Sequence, residues 1–174
     1  MTVTRQNIMV NIRGTQADEQ DSNTMELYTE GMLTHSDGKY IIEYDESELS
    51  GMGNTKTLLT VEGERVQLKR TGPVETEFVF LKSRVFETAY ETPFGMMQMS
   101  VLPTQILSDV SEESGKIDLE YVIRIGDQQA VNKLNINYKK IDVYKRQDKV
   151  CGTFYYAKNM HIRNVKKFAK LLAE

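Results

Sequence analysis

The sequence has few of the residues on which metal binding and nucleophilic catalysis usually depend. Among its 174 residues there are one cysteine, Cys151, and two histidines, and tryptophan is absent. A single cysteine excludes an intrachain disulfide and a thiolate cluster, and one histidine in residues 1–141 leaves no cysteine–histidine zinc site. His35 precedes Asp37-Gly38 in a polar stretch, where a turn residue is more to be expected than the base of a Ser-His-Asp triad. We therefore expect no metal and no cofactor.

Long apolar runs are also missing. No stretch approaches the roughly 18 consecutive apolar residues that a membrane-spanning helix requires, and the mean hydropathy is −0.47. Residues 1–7 are polar and lead into an alternating segment without the apolar centre of a signal peptide. These features predict a cytoplasmic protein that does not associate with membranes.

Negative charge dominates most of the chain. Residues 142–174 contain eight Lys and Arg against three Asp and Glu, so the net charge of −3 divides into −8 for residues 1–141 and +5 for the remainder. An acidic body repels phosphate backbones unless a local basic stripe exists, and none is visible. We expect no nucleic-acid partner.

What the chain does have is an alternation of apolar and polar residues that continues from Gln6 to Tyr138. Turn residues interrupt it about every 8–12 residues, which is typical of a sandwich or barrel. The clearest segment places five apolar side chains on one face, namely Ile117, Leu119, Tyr121, Ile123 and Ile125. No helical segment long enough for a parallel crossover separates the strands. The pattern predicts an all-β, antiparallel up-and-down β-barrel of about 8–10 strands, because closure leaves no exposed edge.

Two details of the strands are predicted separately. Gly31 lies inside an alternating segment, where glycine indicates a bulge or bend. Pro103 to Leu107 is expected to form a helical turn.

The pattern changes after Ile141. Residues 159–174 alternate with the three- and four-residue spacing of a basic amphipathic helix. The hexapeptide at 142–147, DVYKRQ, is the translation of GATGTGTATAAGAGACAG, a transposase end sequence used in sequencing libraries. We therefore interpret residues 1–141 as the barrel domain and 142–174 as a tail of foreign origin; the alternative is a natural basic helix that packs on the acidic barrel or binds a partner.

The candidate binding residues are cationic, aromatic and sulfur-containing side chains on predicted strands. Arginines with apolar neighbours can point into a barrel, where they need a carboxylate or an anionic ligand. Methionines form an adaptable apolar wall. The candidate ligand-binding set is Arg70, Arg84, Tyr90, Met97 and Met99. The alternatives are a structural ion pair with Glu30 or Glu87 for the arginines and ordinary core packing for the methionines.

The acidic segment from Glu43 to Glu48 offers carboxylates that a hard cation such as calcium prefers. Its spacing matches no EF-hand loop, and a solvated hairpin flank is the favoured interpretation.

Several short motifs, in this order and spacing, carry a family resemblance. They are YDES at 44–47, RTG at 70–72, YETPFG at 90–95, LEY at 119–121 and NKLNI at 132–136. Together they resemble the YwiB-like family of bacterial proteins of unknown function, over about Ile8 to Tyr138. The resemblance implies a calycin-like, lipocalin-type barrel and provides no catalytic residues to transfer.

Three functions remain open from the sequence. The first is a barrel that binds a small, partly apolar ligand, with an anionic head as one option, since barrels of eight to ten strands can enclose one ligand. The second is a packed barrel that acts through its acidic surface as an interaction or accessory protein. The third and least supported is an enzyme that uses Glu46 or Glu91 as a general acid or base.

Overall fold

A computed structural model describes residues 2–18, 21–48, 53–73, 75–92 and 95–141. These residues form ten strands, and all ladders between them are antiparallel. They are β1 (Thr4–Ala17), β2 (Ser22–Ser36), β3 (Lys39–Asp45), β4 (Lys56–Glu62), β5 (Arg65–Thr71), β6 (Thr76–Phe80), β7 (Phe86–Thr92), β8 (Gly95–Val110), β9 (Ser114–Ile125) and β10 (Gln128–Lys140). The predicted all-β, antiparallel class and the upper strand number are confirmed.

The strands form one sheet in the order β6-β5-β4-β3-β2-β1-β10-β9-β8-β7. Strands that follow each other in sequence are neighbours in the sheet, with the exception of β6 and β7, which stand at its two ends. The first and last strands, β1 and β10, pair in the middle of the sheet. Residues of β6 approach those of β7 and β8 to within 8 Å between Cα atoms. The sheet is therefore a meander curled into a nearly closed barrel, with a seam between β6 and β7.

Turn chemistry explains the tight hairpins. Asp37 and Gly38 both have positive φ, 51° and 75°, between β2 and β3. This is the backbone of a type I′ turn, which suits the twist of paired strands. The Asp-Gly hairpin predicted from the sequence is confirmed.

The barrel interior is filled by alternate residues of the strands. Apolar side chains of nine strands are buried in one cluster, and Phe86 of β7 is partly buried against it. The largest of those with under 2% exposure include Phe80, Ile42, Leu59, Leu68 and Leu119. Burial of an aliphatic or aromatic side chain contributes about 1.5–3 kcal/mol each. This packing holds the curled sheet together.

Gly31 does not form a bulge. The register between β1 and β2 runs without a shift through Gly31, which lies opposite Ile8 and, on the other side, Tyr44. A Cβ at this position would lie 2.7 Å from the backbone oxygen of Glu43. The glycine is required because the two backbones approach closely. Of the bulge or bend predicted here, the bulge is wrong.

The helical turn predicted for Pro103 to Leu107 is also wrong. These residues belong to β8 and pair with β9 on both sides of a register shift between Pro103 and Gln105. Proline has no N–H to give to the ladder, and a bulge accommodates this defect. The long partner strand keeps the backbone extended.

Candidate functional site

A row of polar side chains crosses four strands at one end of the barrel. Tyr44, Thr57, Arg70 and Thr76 are successive register partners on β3, β4, β5 and β6. The next inward-facing row towards the middle of the barrel is wholly apolar and consists of Ile42, Leu59, Leu68 and Phe78. The polar row is the last inward-facing row before these strands end. We call Tyr44, Glu46, Thr57, Arg70 and Thr76 the polar end cluster.

Glu46 is the anionic member of the polar end cluster. Its backbone N–H donates to the Thr55 carbonyl at 2.8 Å, which extends the β3–β4 hairpin by one step and fixes the direction of its side chain. The carboxylate side chain is 1% exposed, and its Oε1 accepts a hydrogen bond of 2.8 Å from the Thr57 hydroxyl. A buried carboxylate of this kind needs a charged partner.

Arg70 supplies that partner. Its Nε lies 3.6 Å from Oε1 of Glu46, and its side chain is 17% exposed. The separation allows strong Coulombic attraction but exceeds the length of a hydrogen bond. The two charges neutralise each other, and the Nε hydrogen has no acceptor in the part of the chain that the structure describes.

Within the described residues, three buried polar atoms of the cluster have no hydrogen-bond partner. They are Glu46 Oε2, Arg70 Nε and Thr76 Oγ1, whereas the Tyr44 hydroxyl interacts with that of Thr57. A buried donor or acceptor left unsatisfied costs about 1–3 kcal/mol, and such groups are rare in native proteins. Donors and acceptors are therefore both available in one small region.

Two tyrosines keep their protons in this environment. Burial, together with the neighbouring Glu46 carboxylate, raises the pKa of Tyr44 well above its ordinary value. Burial also raises the pKa of Tyr121, whose ring packs against Phe80 with 4.9 Å between centroids. Each phenol is thus neutral and able to donate a hydrogen bond.

The structure separates the residues that the sequence proposed for ligand binding. Arg70 joins the polar end cluster, and Met99 lies in the core with 5% exposure. Met97 on β8 is 37% exposed, and Arg84 is exposed in the connection before β7. The backbone of Tyr90 pairs with Met97, while its side chain lies outside the described part of the structure. Of the four whose side chains the structure describes, Arg70 and Met99 face the interior.

The ion pair anticipated for the arginines has a different partner. Glu30 and Glu87 are both exposed, and Arg70 is paired with Glu46. The alternation along β3 could have identified Glu46, because Ile42, Tyr44 and Glu46 are alternate residues and lie on the same face. The sequence interpretation missed Tyr44, Thr57 and Thr76 because only the register between strands brings them together with Arg70.

A lysine forms ion pairs with the acidic segment that begins at Glu43. Lys56 Nζ lies 2.8 Å from Glu43 and 3.9 Å from Asp45 on the outer face. Within the described residues no group of three or more acidic, histidine or cysteine side chains could hold a metal ion. No helix in that same part of the chain has the length and hydropathy needed to cross a membrane.

The opposite end of the barrel is fixed by His35. This residue belongs to β2, stacks on Tyr40 at 4.2 Å, and places Nδ1 2.9 Å from Oε1 of Glu112. The Thr4 hydroxyl donates to the same carboxylate oxygen at 3.0 Å. The hydrogen bond from His35, followed by that from Thr4, lowers the pKa of Glu112. His35 therefore belongs to a strand and not to a turn, and it helps to connect the β8–β9 loop to β1 and β2.

Comparison with known proteins identifies the family. Residues 10–137 match the family described as a domain of unknown function, DUF1934. This match covers nearly the whole barrel. The chain belongs to the DUF1934 family.

One relative supports the YwiB-like assignment of this DUF1934 chain. The "uncharacterized beta-barrel protein YwiB" of Bacillus subtilis (strain 168) is 26% identical over 134 residues, which are 76% of this chain and 92% of the relative. The crystal structure of the ywiB protein from Bacillus subtilis has a TM-score of 0.68 at 21% identity and covers 79% of this chain and 94% of its own. The resemblance seen in the sequence is confirmed, and the shared fold is a β-barrel.

Proposed function

We propose that the protein binds a small, partly apolar ligand through the polar end cluster. The observation that carries this proposal is a set of three buried polar atoms, in the Glu46–Arg70 ion pair and the neighbouring Thr76, that have no hydrogen-bond partner among the described residues. Binding sites commonly combine apolar walls with a few converging polar groups. A ligand head that meets these groups would relieve the cost of leaving them unsatisfied.

The remainder of the barrel supports binding at this end rather than in the middle. Below the cluster, the side chains of the apolar row, Ile42, Leu59, Leu68 and Phe78, are at most 6% exposed. Interiors packed at this density exclude a second molecule. The apolar part of the ligand would therefore contact the rim of the apolar row, with Tyr121 facing it from β9.

Native mass spectrometry of the full 174-residue chain tests the proposal. We expect a displaceable small-molecule adduct that is reduced in Thr76→Val, which removes one unpartnered hydroxyl with almost no change in shape. Thr104→Val, at an exposed position on β8, is the matched control and should keep the adduct. A protein that is free of adduct and unaffected by Thr76→Val would contradict ligand binding at this site.

A second candidate function is an interaction protein with a packed interior. It is favoured by exposed apolar side chains near the two ends of the β7–β8 pair, since Val85 is 53% and Met96 64% exposed. Apolar side chains exposed at the edge of a sheet are available for contact with a partner. If this role is correct, Val85→Ser combined with Met96→Ser should abolish capture of a partner and leave any small-molecule adduct unchanged.

We also propose a cytoplasmic, non-catalytic role without nucleic-acid partners. The single cysteine and the net charge of −8 on residues 1–141 support this proposal. The calycin-like relationship expected from the sequence is consistent with a ligand-holding barrel, but fold alone does not assign function.

The foreign origin of residues 142–174 remains our proposal; these residues lie outside the described part of the structure, as does the amphipathic helix expected at 159–174. The family match ends at residue 137, before the hexapeptide. Amplification of the locus from source DNA should yield a different sequence after residue 141. A continuous frame through residues 142–147 in genomic DNA would contradict the proposal.

A further inference from the structure

We infer that the ligand head is a neutral group that carries both a hydrogen-bond donor and an acceptor, with a primary carboxamide as the simplest example. This inference rests on the proposed function and names the chemical class recognised at the same site. The juxtaposition that carries it is a buried carboxylate oxygen and a buried guanidinium N–H on two side chains that already neutralise each other; neither atom has a hydrogen-bond partner among the described residues.

Charge determines which heads are compatible with the cluster. Glu46 and Arg70 contribute one negative and one positive charge at a separation of 3.6 Å. An anionic head would approach Arg70 but would lie beside the buried Glu46 carboxylate, and a cationic head would meet the reverse problem. Repulsion at short range in a poorly solvated site is severe, so a head without net charge is favoured.

Hydrogen-bond capacity then selects among neutral heads. Glu46 Oε2 can only accept, and Arg70 Nε can only donate. A carboxamide presents an N–H to the carboxylate and a carbonyl oxygen to the guanidinium through two separate atoms, whereas a hydroxyl must donate and accept through one oxygen. Tyr44 and Thr76 carry hydroxyls that rotate to donate or accept, and they complete the set.

The inferred neutral head differs from the anionic head that Arg70 alone would indicate. With Arg70 considered in isolation, a carboxylate or phosphate ligand is the natural expectation. Glu46 already provides that carboxylate from within the chain. The anionic head considered from the sequence is therefore disfavoured by the residue that the sequence did not pair with Arg70.

A series of probes with matched alkyl chains tests the inference on the full chain. Butyl, octyl and dodecyl members of four classes, namely amide, carboxylate, amine and alcohol, are titrated at pH 7 by ligand-observed NMR. We expect the amide of the best-fitting length to bind about tenfold more tightly than the carboxylate and the amine, as expected for one buried polar group left unpaired or repelled. Preference for the carboxylate or the amine would overturn the head-group assignment while supporting a binding role.

A charge change in the cluster gives an independent result. Glu46→Gln removes the negative charge, so the carboxylate probe should gain about tenfold in affinity relative to the amide. Thr76→Val leaves the charge unchanged and should weaken the amide without reversing the order. Far-UV circular dichroism establishes that each variant is folded. Unchanged selectivity in folded Glu46→Gln would overturn the inference, and failure of every probe to bind either the natural chain or the folded variants would overturn the proposed function as well.

Discussion

Gly115 lies against the ring of Tyr138, its register partner on β10. A Cβ at position 115 would overlap the Tyr138 ring, whose hydroxyl donates a hydrogen bond of 2.6 Å to the Ser111 carbonyl. We expect Gly115→Ala to destabilise the protein by about 1–3 kcal/mol because the buried ring must move. Urea denaturation measures this change.

Gly14→Ala is the control for that substitution. At Gly14 the nearest atom to a new Cβ is the Met25 Cε, at 3.9 Å, an ordinary contact distance. We expect little loss of stability there. Equal losses at the two positions would mean that contact with Tyr138 is not the reason for glycine at 115.

Glu112 gives a prediction about pH. Because its pKa is lowered in the folded protein, its stabilising contribution is present above the ordinary value of 4.5 and is lost as the pH falls through the folded value. Glu112→Gln should therefore lower Tm at pH 7 and have a smaller effect at pH 3. Glu64→Gln, in the exposed β4–β5 turn, is the control and should show no such trend. A difference that is constant with pH would contradict the ionic role of Glu112.

At the scale of the strand, β4 shows how alternation sets stability. Leu59 is fully buried between Ile42 and Leu68, whereas Leu107 on β8 is 55% exposed. We expect Leu59→Ala to cost about 2–5 kcal/mol in the free energy of unfolding, because a cavity replaces packed atoms. Leu107→Ala should change it by no more than about 0.5 kcal/mol. Chemical denaturation of the two variants compares them directly, and similar costs would contradict the assigned faces.

The elements also show which features the sequence could predict. Strands and tight turns were predicted because their signals are local: alternation along the strand, and residues such as Gly38 that allow positive φ. Pro103 was misinterpreted because a proline marks a turn only where no partner strand continues the ladder. The extended backbone there depends on β9, which follows later in the chain.

The candidate site could be predicted only in part for the same reason. Arg70 was identified from its own strand, but Glu46 reaches it through the pairing of three strands, β3, β4 and β5. A register error of one residue would have turned Glu46 outwards. The sequence therefore indicated a buried arginine and could not identify its partner.

At the scale of the whole molecule, Phe80 helps to hold the curled sheet together near its seam. This side chain on β6 is fully buried and lies 4.9 Å from the Tyr121 ring on β9, although the two strands are far apart in the sheet order. We expect Phe80→Ala to cost about 3–5 kcal/mol and to increase amide hydrogen exchange in β6 and β7. Phe86→Ala, at a partly buried position on β7, should cost less. Equal effects, or exchange that increases uniformly, would contradict the special position of Phe80.

The pairing of β1 with β10 has a consequence for how the chain could be rewired. Ile8 lies opposite Lys140, and the N–H of Ile141 donates to the Asn7 carbonyl at 3.0 Å. The first and last strands of the chain are therefore hydrogen-bonded to each other in the middle of the sheet. The seam, in contrast, falls between two strands joined by residues 81–85. A circular permutant that begins after this connection and joins residue 141 to residue 4 through a short glycine linker would keep every ladder. In that permutant every strand pairing would join strands that follow each other in sequence, and the contact across the seam would join the two ends of the chain.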